Sequence, residues 1–200
     1  MRRELVIAII MGMFLFNVKQ INATVIAGSS GISPPPFWEN SYWGMTSGLE
    51  RAFLFTTISD GPFYAEELQV AAFYPNFQSG SHARFSIKLD DNGLPGVAIW
   101  TFETKSITTI PQVLGIEITD EIILNSNTTY WLTGQSLQQN FHWNLGDNTF
   151  GTTAYRISQG EWIILPNRNV SAYAILGSPT PEPSTLLLFG LGALFLRKKR

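Results

Sequence analysis

The groups that could do chemistry in this 200-residue chain are few and widely spaced. Cysteine is absent, which excludes disulfides, thiolate metal sites and a thiol nucleophile together. The two histidines, His82 and His142, stand sixty positions apart. Neither has the H-x-x-x-H or carboxylate–histidine spacing that builds a zinc site, and both read as ordinary polar residues at strand ends. Two acid pairs, Glu66-Glu67 and Asp120-Glu121, are sequence neighbours. Neighbours on a strand point to opposite faces, so neither pair is by itself the two-carboxylate arrangement a glycosidase sets across its cleft. Asp90-Asp91-Asn92 is rich in oxygen and reads as a turn. A calcium site at Asp90 and Asp91 is the alternative, although the D-x-D-x-D-G spacing and a later bidentate Glu are missing. No G-x-S-x-G elbow and no Gly-rich phosphate loop occurs. These residues point to a non-enzymatic body with no cofactor, calcium excepted.

Six tryptophans are the other chemical resource. Aromatic faces stack on the C–H surfaces of sugars, and two or three exposed ones on a concave sheet make a glycan-binding surface. Trp38, Tyr42, Trp43 and Trp143 fall in or near loops and are the candidates for glycan contact. Trp100, Trp131 and Trp162 fall within strand-like runs and are expected to fill the core. The competing reading is that all six are structural.

Charge narrows the partners. Formal net charge is −2, but residues 24–180 hold six cations against thirteen acids, which is −7, and the two ends supply the compensating positive charge. A mildly acidic body without clustered Lys and Arg is not a nucleic-acid surface. No nucleic-acid partner is expected.

The elements that must position these residues are short strands. His82-Ala83-Arg84-Phe85-Ser86-Ile87-Lys88-Leu89 alternates cleanly, with Phe85, Ile87 and Leu89 on one face and Arg84, Ser86 and Lys88 on the other. That is the pattern of an antiparallel strand with one wet face. Asp90-Asp91-Asn92-Gly93 then turns the chain. Similar runs are expected near 51–57, 67–73, 96–105, 113–119, 129–137, 141–144, 154–158, 161–165 and 171–176. Only Tyr64-Ala65-Glu66-Glu67-Leu68 has the spacing for a turn or two of helix. The expected architecture is an all-β, antiparallel two-sheet sandwich of jelly-roll type spanning 45–177, preceded by a lead-in over 24–44.

Both ends read as targeting segments. Arg2 and Arg3 followed by the apolar run Leu5–Phe16 make a signal peptide over 1–23, with Ala23 at the cleavage position and Ala27 a second candidate. An uncleaved anchor is the alternative. At the other end, residues 178–200 hold a Pro-bracketed acid, an apolar run and a basic cluster. Prolines 179, 181 and 183 keep a helix from beginning before about Ser184. The run Ser184–Leu196 then carries Leu186, Leu187, Leu188, Phe189, Leu191, Leu194, Phe195 and Leu196 as a membrane anchor. Arg197, Lys198, Lys199 and Arg200 stop it and favour the cytoplasmic face. A helix over those thirteen residues is roughly 20 Å long, against a hydrocarbon core of about 30 Å, so snorkelling cations and local thinning would have to cover the difference.

Pro181-Glu182-Pro183, the apolar run and the basic end together resemble the PEP-CTERM sorting signal. The resemblance implies an exosortase as partner, cutting near Pro181, Glu182 and Pro183 while the inner membrane holds the tail. It also implies delivery to the cell envelope, surface or biofilm matrix of an exopolysaccharide-making Gram-negative bacterium. Over about 45–176, Leu89-Asp90-Asp91-Asn92-Gly93-Leu94-Pro95-Gly96 and Asn127-Thr128-Thr129-Tyr130-Trp131-Leu132 are similar to the choice-of-anchor β-sandwich domains. That likeness implies a sandwich fold and a strand entering the core, and no particular activity.

Overall fold

The computed structural model describes residues 23–29, 42–73, 81–107, 112–138 and 140–180. Eleven strands account for about four-fifths of them: β1 (Thr24–Gly28), β2 (Tyr42–Met45), β3 (Leu49–Thr56), β4 (Phe63–Phe73), β5 (Ser81–Asp91), β6 (Leu94–Ile107), β7 (Gln112–Leu124), β8 (Thr129–Ser136), β9 (Phe141–Ile157), β10 (Ile163–Ser171) and β11 (Tyr173–Pro179). Every strand pairing is antiparallel. No helix occurs among the described residues. The expected signal helix, Trp38 and the residues of the tail from Pro181 onward lie outside them.

The expected two-sheet sandwich is realised as one antiparallel sheet curled over itself. One half runs β7-β4-β11-β1, and the other runs β10-β9-β3-β8-β5-β6. The halves are continuous because two chain segments bend from one to the other side by side. β9 leaves β2 and β4 at Asn144 and joins β10 and β3 from Leu145 onward, while β10 passes into β11 across Ala172. Ala172 N–H donates to Asn144 O (2.7 Å) and Ala71 N–H to Ala172 O (3.1 Å), so the corner keeps its backbone groups paired in a buried place.

Alternation explains the core. Phe53 and Phe55 from β3, Phe85 and Ile87 from β5, and Tyr130 and Leu132 from β8 are all buried, facing Leu68 and Val70 of β4 and Ile175 of β11 across the sandwich. Trp143 stands at the centre, edge-on to Phe53 (4.9 Å) and Phe85 (5.2 Å). Gly134 on β8 makes room for its ring: a Cβ there would come 2.8 Å from Trp143 Cε3. Burying rings of this size at native density is the main source of stability in such a core.

Three expectations change. Residues Tyr64–Leu68, with spacing for a helical turn, are strand β4. A register shift between Ala65 and Glu67 breaks its alternation, so Phe63, Ala65, Leu68, Val70 and Ala72 all face inward although their spacing is uneven. The lead-in is partly regular: Thr24–Gly28 forms an edge strand on β11, and Tyr42–Met45 pairs with β9. The third concerns the face of β5 expected to be wet. Ser86 and Lys88 are buried there, beneath the side of the sheet that carries Trp162.

Candidate functional site

The C-terminal junction is built into the sheet. β11 lies between β4 and β1, and its last pair is Pro179 with Phe63. Beyond it, Thr180 is clamped to Pro62, the residue that precedes β4: its N–H and its hydroxyl both donate to Pro62 O, at 2.9 and 3.1 Å. The Ser178 hydroxyl donates to Glu66 Oε1. Pro181, the first residue of the Pro-Glu-Pro tripeptide, therefore follows an anchored residue directly. β1 runs antiparallel to β11 with Thr24 opposite Gly177, so the N-terminal end of the body lies beside the C-terminal one. Pro181, Glu182 and Pro183, the apolar residues from Leu186 to Leu196 and the basic end Arg197, Lys198, Lys199 and Arg200 lie outside the described residues.

The aromatic candidates separate. Trp143, expected near a loop, is fully buried in β9 and cannot offer its face to a sugar. The reason is readable in the strand itself, where Phe141 and Trp143 alternate inward; its Nε1–H donates to Ala172 O at the corner. Tyr42 is exposed at 43% and lies flat on the His142 ring, with centroids 3.7 Å apart and planes at 11°. Phe73 meets both rings edge-on. Burial in this stack holds the His142 imidazole below its ordinary value of 6.5.

Trp43 is half-buried and fixed on two sides. The Arg51 guanidinium lies 4.1 Å from its ring centroid, and its Nε1–H donates to Asn169 O at 3.1 Å. Burial lowers the Arg51 pKa below the ordinary arginine range, with the Tyr155 hydroxyl acting in the opposite sense. Trp43 also lines an open cavity of about 250 Å³ with Leu145, Phe150, Asn167, Arg168 and Asn169. Phe150 is 61% exposed there, and the buried Asn169 Oδ1 has no hydrogen-bond partner among the described residues. An apolar ring, an amide and a cation around one hollow can take a sugar's C–H face and its hydroxyls. Phe150, Arg168 and Asn169 were not among the sequence candidates. The polar run Asn167-Arg168-Asn169 is their signal, but only the β9–β10 pairing, Asn169 opposite Phe150, brings it to Trp43.

The calcium alternative meets a committed turn. Asp90 Oδ1 accepts from Trp131 Nε1–H at 2.7 Å and Oδ2 from Gly93 N–H at 3.2 Å, while Asp91 Oδ1 accepts from the Asn92 amide. Among the described residues no three acids and histidines converge. Of the core tryptophans, Trp100 is in the main core. Trp131 is buried on the opposite side of the second half with Ala52 and Ala154, and Trp162 only half-covers that patch.

Residues 179–200 match the family model of the PEP-CTERM protein-sorting motif. The match begins at the last residue of β11 and covers the tripeptide, the apolar run and the basic end. This motif supports a protein sorted by an exosortase and implies export and membrane anchoring before processing. No curated protein matches the chain.

Proposed function

We propose that the body is a non-enzymatic structural or adhesive module of the cell surface or extracellular matrix, carried there by its tail. The observation that carries this reading is continuity. β11 is an interior strand, and the sorting motif starts at its final residue, Pro179. A cut within Pro181–Pro183 leaves all eleven strands whole, whereas a cut a few residues earlier would open the sheet. The body is thus shaped to outlast its own processing, as a displayed module must. Mass determination of the protein from membrane and culture-medium fractions tests it. The expected species starts at Thr24 and ends between Pro181 and Pro183, and deletion of residues 181–200 should move the intact body out of the membrane fraction. An unchanged distribution after that deletion would end the proposal.

A second reading is favoured by the Trp43 cavity: the adhesive contact is with exopolysaccharide, through Trp43 and Phe150 with Arg168 and Asn169. Titrating the host's exopolysaccharide should shift tryptophan fluorescence, and Phe150→Ala, on an exposed ring, should abolish the shift without altering the fold. No response at millimolar sugar removes this reading.

A further inference from the structure

On the opposite surface from the core, the second half of the sheet carries a charged cavity of about 270 Å³. Its floor is one carboxylate held by two cations. Lys88 Nζ donates to Glu50 Oε1 at 2.6 Å, and Arg156 donates to Glu50 Oε2 through Nε (2.7 Å) and a terminal nitrogen (2.6 Å). The three side chains come from β5, β3 and β9 and are largely buried, with side-chain exposures of 10, 7 and 20% for Lys88, Glu50 and Arg156. At the open end Arg84 and Glu103 neutralise each other.

Summed over the lining, three cations face two carboxylates, so one positive charge is left over at the floor. Trp162 lies over both floor cations, 4.6 Å from Arg156 Cζ and 5.2 Å from Lys88 Nζ. A ring quadrupole helps hold cations in place, but it supplies no net negative charge. The remaining lining is built for hydroxyls: Ser86 and Thr101, whose oxygens are 3.0 Å apart, and the amides of Gln135 and Gln159. Gln159 is held there at some cost. It and Ser158 form the β9–β10 turn with φ of 64° and 49°, consecutive left-handed positions occupied by neither glycine nor asparagine. The turn is the type I′ kind that hairpins use, closed by Gly160 N–H donating to Ile157 O at 2.9 Å, and it leaves Gln159 in the cavity lining.

We infer that this cavity binds the carboxylate of an acidic sugar, with Lys88 and Arg156 taking the carboxylate and Ser86, Gln135 and Gln159 taking ring hydroxyls. Its volume is below the roughly 300–1,000 Å³ of a drug-sized site, which suits one sugar unit of a longer chain. The inference goes beyond the Trp43 reading, because surface, charge and residues differ, and the two fail separately.

The test is calorimetric titration of the full chain in detergent with trigalacturonate, galactotriose and sodium sulfate. Hydrogen bonds to charged groups make the acidic trisaccharide bind about tenfold more tightly than the neutral one, or better, with the preference shrinking as salt is added. Lys88→Met leaves the Glu50–Arg156 pair in place and removes the surplus charge, so the preference should vanish. Gln159→Gly keeps the turn's backbone and removes the amide. It should weaken trigalacturonate several-fold and serves as the second arm if Lys88→Met does not fold. Equal affinity for the two trisaccharides overturns the inference, as does an unaltered preference in a folded Lys88→Met. Sulfate binding as tightly as trigalacturonate overturns the sugar assignment.

Discussion

Moving the mature N-terminus from Thr24 to Gly28 would remove the strand that seals β11, and the cost can be worked from one residue. Ile26 is 0% exposed. The β1–β11 register skips it, with Val25 opposite Leu176 and Ala27 opposite Ile175, so Ile26 is the extra residue of a bulge. The bulge turns it into the core, where its Cδ1 lies beside Gly177, while Val25 next to it is 53% exposed. Ile26 O also accepts from Ile58 N–H at 3.1 Å. Truncating a buried isoleucine to alanine costs about 2–5 kcal/mol, a large part of a domain stability of roughly 5–15 kcal/mol. With a urea m-value of about 2 kcal/mol/M, Ile26→Ala should lower the urea midpoint by about 1 M or more, read by tryptophan fluorescence. Val25→Ala should cost less than about 0.5 kcal/mol. Deleting Thr24–Ala27 should cost at least as much as Ile26→Ala. Signal cleavage after Ala27 would make that deletion in every molecule, so the mature chain is expected to begin at Thr24. Equal midpoints for the Ile26 and Val25 variants, or a folded mature protein beginning at Gly28, would refute the reasoning.

Gly134→Ala would drive a methyl group into the Trp143 ring and 3.4 Å from Phe85, so it should destabilise by about 1–3 kcal/mol, measured as a lowered urea midpoint. Gln159→Gly relieves a left-handed residue worth about 1–2 kcal/mol but adds glycine's chain entropy, so the melting temperature should rise modestly, by the equivalent of about 0.5–1 kcal/mol. The His142 pKa is depressed on folding, so the unfolded chain takes up its proton first. Its effect on stability is absent above pH 6.5 and grows as pH falls below that through the folded value. The melting temperature should therefore drop between pH 7.5 and 5, and His142→Phe, which keeps an aromatic ring beneath Tyr42, should flatten that part of the drop.

What could be read from the sequence follows from how local each signal is. β5 was legible because Phe85 and Ile87 alternate against a single buried face, a pattern eight residues contain in full. Its other face was misread as wet because Lys88 is covered by Glu50, 38 positions away, and Glu50 is in turn held by Arg156, 106 positions from it. No window of sequence holds that triad. The first part of β4, before the expected run at 67–73, escaped because a bulge interrupts its period, and Trp143 because the polar residues around it outweighed its alternation with Phe141. β1 lay hidden because it falls in the segment read as lead-in, against the two candidate cleavage positions Ala23 and Ala27. The sorting tripeptide was legible without any fold, since a motif read by an enzyme in an extended segment has to be written locally.

The pairing of β1 with β11 ties the completion of the fold to the arrival of the tail. Thr24 and Gly177 meet across more than one hundred and fifty residues, and the seal over Ile26 forms only when β11 is in place. Contacts this distant in sequence carry a large loop-closure cost, and topologies rich in them fold slowly. β11 ends at Pro179, two residues before Pro181, so the last interior strand and the sorting motif emerge together during export. From Thr180 to Ser184 the chain spans at most about 14 Å. In the proposed arrangement, with the apolar run held in the membrane, a body closed around β11 would lie within that reach of the surface, with Pro62 and β1 on the near side. In that arrangement the tripeptide Pro181-Glu182-Pro183 would fall between the body and the membrane.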